Sequence, residues 1–119
     1  MVINQGDIYW IEFDDPVGSE PGYKHPHVVV QNNMFNHSKI NTTVVCPFTS
    51  VSKRGNIPGN VLIKKGEANM DKDSVISVSQ LITVDKTQLE EYIGTISKRR
   101  ILEIYNGINL ILLPREPPE

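Results

Sequence analysis

Turn-forming residues divide this chain of 119 residues into short segments, and only the last segment is long enough for a helix of several turns. The earlier segments are rich in β-branched and aromatic residues and are bounded by Gly, Pro, Asn and Asp, which is typical of strands. The predicted strands are 6–13, 28–31, 42–50, 60–63, 74–84 and 92–96. Within them, Pro47 predicts an edge position or a bulge. Gln80 interrupts an apolar face and therefore needs a hydrogen-bond partner.

The last segment predicts a helix over 98–113, with Ser97 as its N-cap. Its apolar residues recur at helical spacing, as Ile101, Ile104, Tyr105, Ile108, Ile111 and Leu112. Further leucines widen this surface beyond one face, so either the sheet or a second subunit is expected to cover it. Residues 114–119 contain three prolines and are predicted to be disordered. Residues 1–113 are predicted to form one domain, mainly β with a C-terminal helix, as a small bent β-barrel.

Composition excludes several classes of protein. Apolar residues make up 39% and charged residues 22% of the chain, as in soluble globular domains. No apolar run approaches the ~20 residues needed to span a membrane, and no signal peptide is expected. The single cysteine, Cys46, excludes an internal disulfide, favours a cytosolic location and is predicted to be a small buried residue. One cysteine and three histidines do not make a structural zinc site, so no metal or cofactor is expected.

Charge is distributed unevenly along the chain. The formal net charge is −2, but residues 21–66 contain no Asp or Glu, six Lys or Arg residues and all three histidines. A basic segment in an acidic protein favours one face that meets a polyanion, although chance clustering is the alternative. Lys53 and Arg54, in the basic loop after the third predicted strand, are candidate contacts to such a ligand.

The segment 18–33 is the strongest candidate for a functional loop. It places Ser19, Glu20, Lys24, His25 and His27 on a glycine- and proline-punctuated stretch that enters a buried strand. Binding and catalytic groups are common on loops anchored to rigid strands. An ordinary surface loop is the alternative interpretation of the same residues.

Five segments in order resemble the MazF/PemK family of toxin endoribonucleases. They are Gly-Asp-Ile-Tyr-Trp at 6–10, Gly-Ser-Glu-Pro-Gly-Tyr-Lys-His-Pro at 18–26, Val-Val-Val-Gln-Asn at 28–32, Val-Val-Cys-Pro-Phe-Thr at 44–49 and Asp-Ser-Val-Ile-Ser-Val-Ser-Gln at 73–80. The resemblance covers nearly the whole chain. It implies an SH3-like barrel of the plasmid-addiction toxin type, a homodimer, an antitoxin partner and metal-independent cleavage of single-stranded RNA. The implied products are a 2′,3′-cyclic phosphate and a 5′-OH.

The resemblance also carries roles to particular positions. The family's threonine after the third strand falls on Thr49, and the glutamate of the Gly-Ser-Glu loop falls on Glu20. The family's catalytic arginine falls on His25, which is a departure because Arg-Pro is the usual pattern and this chain has His25-Pro26. His25 and Thr49 are therefore the predicted catalytic residues. The predicted substrate-binding residues are Ser19, Glu20, Lys24, His27, Ser50, Ser52, Lys53, Arg54 and Gln80.

The histidine is chemically workable at this position. Transphosphorylation needs a base, an acid and positive charge near the phosphate. An imidazole transfers protons near neutral pH, whereas a guanidinium does not. Lys24 can supply fixed charge, and His27 is a second candidate for proton transfer. His37 is expected to lie on the surface.

Two other functions remain open at this point. If His25 only hydrogen-bonds to backbone, the chain is a non-catalytic module that binds RNA or protein. A related toxin with this fold poisons gyrase through protein contacts and needs no cleavage residues. The acid-free segment favours RNA over a protein target.

Overall fold

The computed structural model describes residues 1–13 and 24–116, and within them the chain forms one curled antiparallel sheet. Its strands are β1 (Asp7–Ile11), β2 (His25–Val29), β3 (Thr42–Thr49), β4 (Val61–Ile63), β5 (Ser74–Ile76), β6 (Ile82–Asp85) and β7 (Tyr92–Thr95). The strand order is β4-β5-β3-β2-β1-β7, and β6 pairs with β3 beside β5. The predicted mainly β fold with a C-terminal helix is confirmed as a half-barrel.

Three α-helical segments are present in the described residues: α1 (Asn33–Asn36), α2 (Val51–Arg54) and α3 (Lys98–Ile111). Single 3₁₀ turns cover Glu67–Asn69, Val78–Gln80 and Lys86–Gln88. The predicted N-cap of α3 is confirmed, because the Ser97 side chain accepts a hydrogen bond from the backbone N–H of Arg100. The helix ends two residues before the predicted end. The predicted disorder of 114–119 stays a prediction, and residues 117–119 lie outside the described residues.

Each face of the sheet carries its own apolar cluster. The larger cluster packs between the sheet and α3 and includes Ile8, Val28, Cys46, Phe48 and Ile104. The smaller cluster lies on the opposite face and includes Tyr9, Ile11, Val29, Val45 and Val84. The predicted burial of Cys46 is confirmed, and that burial raises the pKa of its thiol to about 12. This thiol therefore stays protonated and unreactive near neutral pH.

The predicted long strand over 74–84 is wrong, because a 3₁₀ turn divides it into β5 and β6. On β3, Phe48 pairs with Ile76 and Val45 pairs with Ile82. The segment 77–81 therefore faces only two residues of β3, which leaves three residues too many for a regular ladder. The extra residues leave the sheet as the turn that carries Gln80.

Pro47 was predicted to mark an edge position or a bulge, and the edge position is excluded because β3 lies in the interior of the sheet. Pro47 sits between the residues of β3 that pair with β5 and those that pair with β6. Its carbonyl accepts a hydrogen bond from the Ser77 N–H at 3.0 Å. Proline has no backbone N–H to donate to a neighbouring strand. No ladder hydrogen bond is lost here, because the segment beside Pro47, residues 77–81, has left the regular sheet.

In the part of the chain that the structure describes, no helix combines the length and the apolar character that a membrane crossing needs.

Candidate active site

β2 begins at His25, so this histidine lies on a strand and not on the predicted loop. On one side, β2 pairs with β1, which places Trp10 opposite Pro26 and Ile11 opposite His25. On the other side it pairs with β3, with His27 opposite Pro47 and Val28 opposite Cys46. The pairing of β2 with β3 ends at His27 and Pro47, and His25 and Thr49 lie two residues beyond this pair on their strands. The two predicted catalytic residues both line the groove described next.

A groove with a volume of about 350 Å³ opens where β2 begins and β3 ends, and we refer to it as the His25 groove. Its lining residues are Trp10, Lys24, His25, Pro26, Phe48, Thr49, Ser50, Lys53, Met70, Asp71, Lys72 and Ser74. Five of the predicted site residues therefore meet here: Lys24, His25, Thr49, Ser50 and Lys53. Among the described residues, the groove carries three lysines and one aspartate, which suits an anionic ligand.

Lys24 is held at the rim of the His25 groove by an ion pair. Its Nζ lies 3.2 Å from Oε1 of Glu90, and the two side chains are 46% and 40% exposed. An ion pair this exposed is weak and easily exchanged. Lys24 is thus available to a phosphate that displaces Glu90.

His27 does not reach the groove. Its side chain is 3% exposed, and its ring meets the ring of Phe13 edge-on at 5.4 Å between centroids. Its Nδ1 donates to the carbonyl of His25 at 3.0 Å. Burial lowers the pKa of His27 to about 4, so the ring is neutral near neutral pH. This burial disfavours the predicted contact of His27 with the substrate, and the hydrogen bond supports the backbone of His25.

The other predicted residues have different locations. Ser52 lies beside the groove, with its Oγ 3.3 Å from Oγ of Ser50. Arg54 is half-buried at the end of α2 and does not line the His25 groove, and its carbonyl accepts a hydrogen bond from Asn60 Nδ2 at 3.1 Å.

Gln80 does not line the His25 groove either, and its Oε1 is buried without a hydrogen-bond partner among the residues that the structure describes. Ser19 and Glu20 lie outside the described residues. His37 is exposed, as predicted, with Nε2 at 2.9 Å from Asn4 Oδ1.

Seven of the described residues that line the His25 groove were not predicted as site residues, and three of them have side chains suited to contact a ligand: Trp10, Asp71 and Lys72. Trp10 lies on β1, is half-buried and borders the groove. Its place beside Pro26 depends on the register between β1 and β2, which a strand pattern alone does not define. Asp71 and Lys72 follow Met70, which packs into the larger apolar cluster and so fixes their position.

Residues 4–112 match the family model described as PemK-like, MazF-like toxin of type II toxin-antitoxin system. The chain belongs to this family. The resemblance found in the sequence is thereby confirmed, and the chain is a toxin endoribonuclease of the MazF type.

Similar proteins agree with this assignment over most of the chain. Endoribonuclease MazF6 of Mycobacterium tuberculosis is 30% identical over 112 residues, covering 94% of this chain and 98% of that protein. Endoribonuclease MazF of Staphylococcus epidermidis is 33% identical over 111 residues, covering 93% and 92%.

Solved structures confirm the fold. A mycobacterial endoribonuclease in complex with its cognate antitoxin has a TM-score of 0.75 at 20% identity, covering 96% of this chain and 99% of that one. MazF of Deinococcus radiodurans also has a TM-score of 0.75, at 18% identity, covering 94% and 97%.

Proposed function

We propose that this MazF-type toxin cleaves single-stranded RNA in the His25 groove without a metal ion. In the proposed step the ribose 2′-oxygen forms a bond to the adjacent phosphorus, and the bond from phosphorus to the 5′-oxygen breaks. The 2′-OH loses its proton and the leaving 5′-oxygen gains one. The products are a 2′,3′-cyclic phosphate and a 5′-OH. The observation that carries the proposal is that His25 and Thr49 line one groove together with lysines.

His25 is proposed to transfer the protons. A neutral imidazole accepts the proton of the 2′-OH, and an imidazolium donates one to the 5′-oxygen. The adjacent His27 cannot share this work, because it is buried and its proton sits on the Nδ1 that bonds the carbonyl of His25. The same hydrogen bond holds the His25 backbone in place, which limits the entropy lost on reaching the reactive geometry.

The remaining groups are proposed to hold the phosphate. The Thr49 hydroxyl can donate a hydrogen bond to a phosphate oxygen or relay a proton. Lys53 in α2 and Lys72, which both line the groove, can neutralise charge that develops on the phosphate. Ser50 adds a second hydroxyl between Thr49 and α2. Ser52, Arg54, Gln80, Ser19 and Glu20 are proposed contacts to RNA beyond the scissile phosphate.

We also propose that the chain forms a homodimer and that this dimer binds an antitoxin protein. Both proteins are proposed to be cytosolic. The outer surface of α3 and the residues after it expose large apolar side chains, namely Leu102, Tyr105, Leu110, Ile111, Leu112 and Leu113. A monomer rarely exposes so many apolar residues on one element. A solved structure similar in fold is an endoribonuclease in complex with its cognate antitoxin.

Incubation of the purified chain with a long unstructured RNA in excess EDTA tests the proposal. We expect fragments that carry 2′,3′-cyclic phosphate and 5′-OH ends, identified by mass spectrometry. Fragments with 5′-phosphate ends, or cleavage that EDTA abolishes, would contradict the proposed chemistry. Binding of RNA without any cleavage would identify a non-catalytic module.

A further inference from the structure

A second groove continues from the His25 groove along the sheet, and we refer to it as the Ile93 groove. It has a volume of about 320 Å³. Trp10, Pro26, Met70 and Asp71 line both grooves, so the two form one cleft. When a phosphate of an RNA strand lies at His25, the next nucleotide of that strand can therefore reach the Ile93 groove.

The floor of the Ile93 groove is apolar and rigid. Trp10 donates its backbone N–H to the Glu91 carbonyl at 3.0 Å, and its own carbonyl accepts from the Glu90 N–H at 2.9 Å. Met70 is buried, and Ile93 is half-buried against the larger apolar cluster. The Trp10 indole beside aliphatic side chains offers a flat surface to a nucleobase, since bases stack on aromatic rings in single-stranded RNA recognition.

The charge of the rim differs between the two grooves. Among residues 1–13 and 24–116, the Ile93 groove is lined by the acidic residues Asp71 and Glu91 and by no Lys or Arg. Both carboxylates are exposed and form no hydrogen bond or ion pair within residues 1–13 and 24–116. Carboxylates repel a phosphate and accept hydrogen bonds only. This end of the cleft is therefore suited to the hydrogen-bond donors of a base edge.

We infer that the Ile93 groove binds a guanine base next to the scissile phosphate, stacked on Trp10 and hydrogen-bonded to Asp71. The inference rests on the proposed endoribonuclease function. Guanine has two adjacent donors on its Watson–Crick edge, N1–H and N2–H, which match the two oxygens of one carboxylate. In adenine and cytosine an acceptor lies beside the amino group, and in uracil two acceptors flank N3–H. A carboxylate at this position disfavours all three.

The fluorescence of Trp10 gives a direct test, because it is the only tryptophan in the chain. The probes are 2′-O-methyl trinucleotides UGU, UAU, UCU and UUU, which lack the attacking hydroxyl and cannot be cleaved by the proposed step. We expect UGU to quench Trp10 and to bind about tenfold more tightly than each of the others, the scale of a bidentate contact to one base.

Two variants distinguish a specific contact of Asp71 with the base from an effect of negative charge in this region. Asp71→Asn keeps the shape but lets the side chain donate as well as accept, so the preference for UGU should fall to about twofold or less. Asp73→Asn is the matched control, because its Oδ1 can still accept from the Lys65 N–H, as Asp73 Oδ1 does at 2.8 Å, and Asp73 lines neither groove. We expect this control to retain the full preference.

The outcomes distinguish this inference from the proposed function. Equal binding of the four trinucleotides, or binding measured by anisotropy without quenching of Trp10, would overturn the guanine site even if the protein cleaves RNA. A preference for UGU that Asp71→Asn leaves intact would overturn the role of Asp71. Selective quenching by UGU in a protein that cleaves no RNA would support the base site and contradict the endoribonuclease proposal.

Discussion

Gly107 of α3 lies directly against the backbone of Gly59 in the loop before β4. A Cβ at position 107 would overlap the carbonyl oxygen of Gly59, and a Cβ at 59 would lie 3.2 Å from the Gly107 carbonyl oxygen. Gly59 also has φ +89°, a conformation that favours glycine. The helix therefore approaches the loop before β4 as closely as two backbones allow, and Ile104, one turn earlier in α3, is buried.

Gly107→Ala should destabilise the protein by about 2 kcal/mol, because overpacking against a backbone outweighs the better helix propensity of alanine. Urea unfolding should show a lower midpoint with an unchanged slope. Asn106→Ala is the matched control on the exposed side of the helix and should change stability by less than about 0.5 kcal/mol. Equal midpoints for the two variants would show that α3 can move away from Gly59.

Glu67→Gln should destabilise the protein by about 1 kcal/mol near neutral pH. The guanidinium of Arg100 donates to both oxygens of Glu67, at 2.7 and 3.0 Å, and holds the pKa of that carboxyl at about 2. The pair joins the 3₁₀ turn at Glu67–Asn69 to α3, but a third of the Glu67 side chain is exposed and solvent screens the interaction.

The stabilisation by Glu67 depends on pH. The pKa of Glu67 is lower in the folded than in the unfolded state, so its contribution is present above about 4.5 and is lost as the pH falls towards 2. Urea midpoints measured across that range should converge for the parent and Glu67→Gln. Glu12→Gln, at an exposed position without an ion pair among the described residues, is the control. A difference that stays constant down to pH 2 would contradict this account.

His27 should make the protein less stable in moderately acidic solution. Its pKa is about 4 in the folded state and about 6.5 when unfolded, so the unfolded state binds the proton more readily between these values. Stability is unaffected above that window and falls by up to about 3 kcal/mol as the pH drops through it. His27→Asn, which keeps a donor for the carbonyl of His25, should remove this loss. His37→Asn should retain it, and a loss that persists in His27→Asn would have to arise from other groups.

Lys53→Gln should weaken the binding of single-stranded RNA and reduce the slope of log K against log salt by about 0.7, the value for one phosphate contact. Lys39→Gln is the matched control, because Lys39 is exposed and lines neither groove of the cleft. Binding should be measured by anisotropy with 2′-O-methyl RNA over a series of salt concentrations. An unchanged slope for Lys53→Gln would place Lys53 away from the RNA.

The sequence was sufficient for those features that depend on local chemistry. Ser97 predicted the start of α3 because a hydroxyl before an apolar helical repeat is an N-cap signal. His25 and Thr49 were predicted from segments similar to a family, and in the structure both residues line the His25 groove.

Features that depend on how the strands pair with one another could not be predicted from local sequence. The alternation at 74–84 fits one long strand, but the excess of residues opposite Cys46 and Pro47 is visible only once the strands are paired. His27 follows His25 at the spacing that places both on one face of a strand. The sequence does not show that His27 is buried. The structure does, because the ring of Phe13 packs against the ring of His27.

The pH profile of RNA cleavage by the parent, His25→Ala and His25→Arg tests the central role of His25 most directly. We predict that His25→Ala lowers the rate at least about a hundredfold, the scale of general acid–base catalysis, while His37→Ala cleaves like the parent. His25→Arg should remain active but lose the dependence on a group that titrates near neutral pH. If His25→Ala cleaves as fast as the parent across the whole pH range, the proton-transfer role assigned to His25 is contradicted.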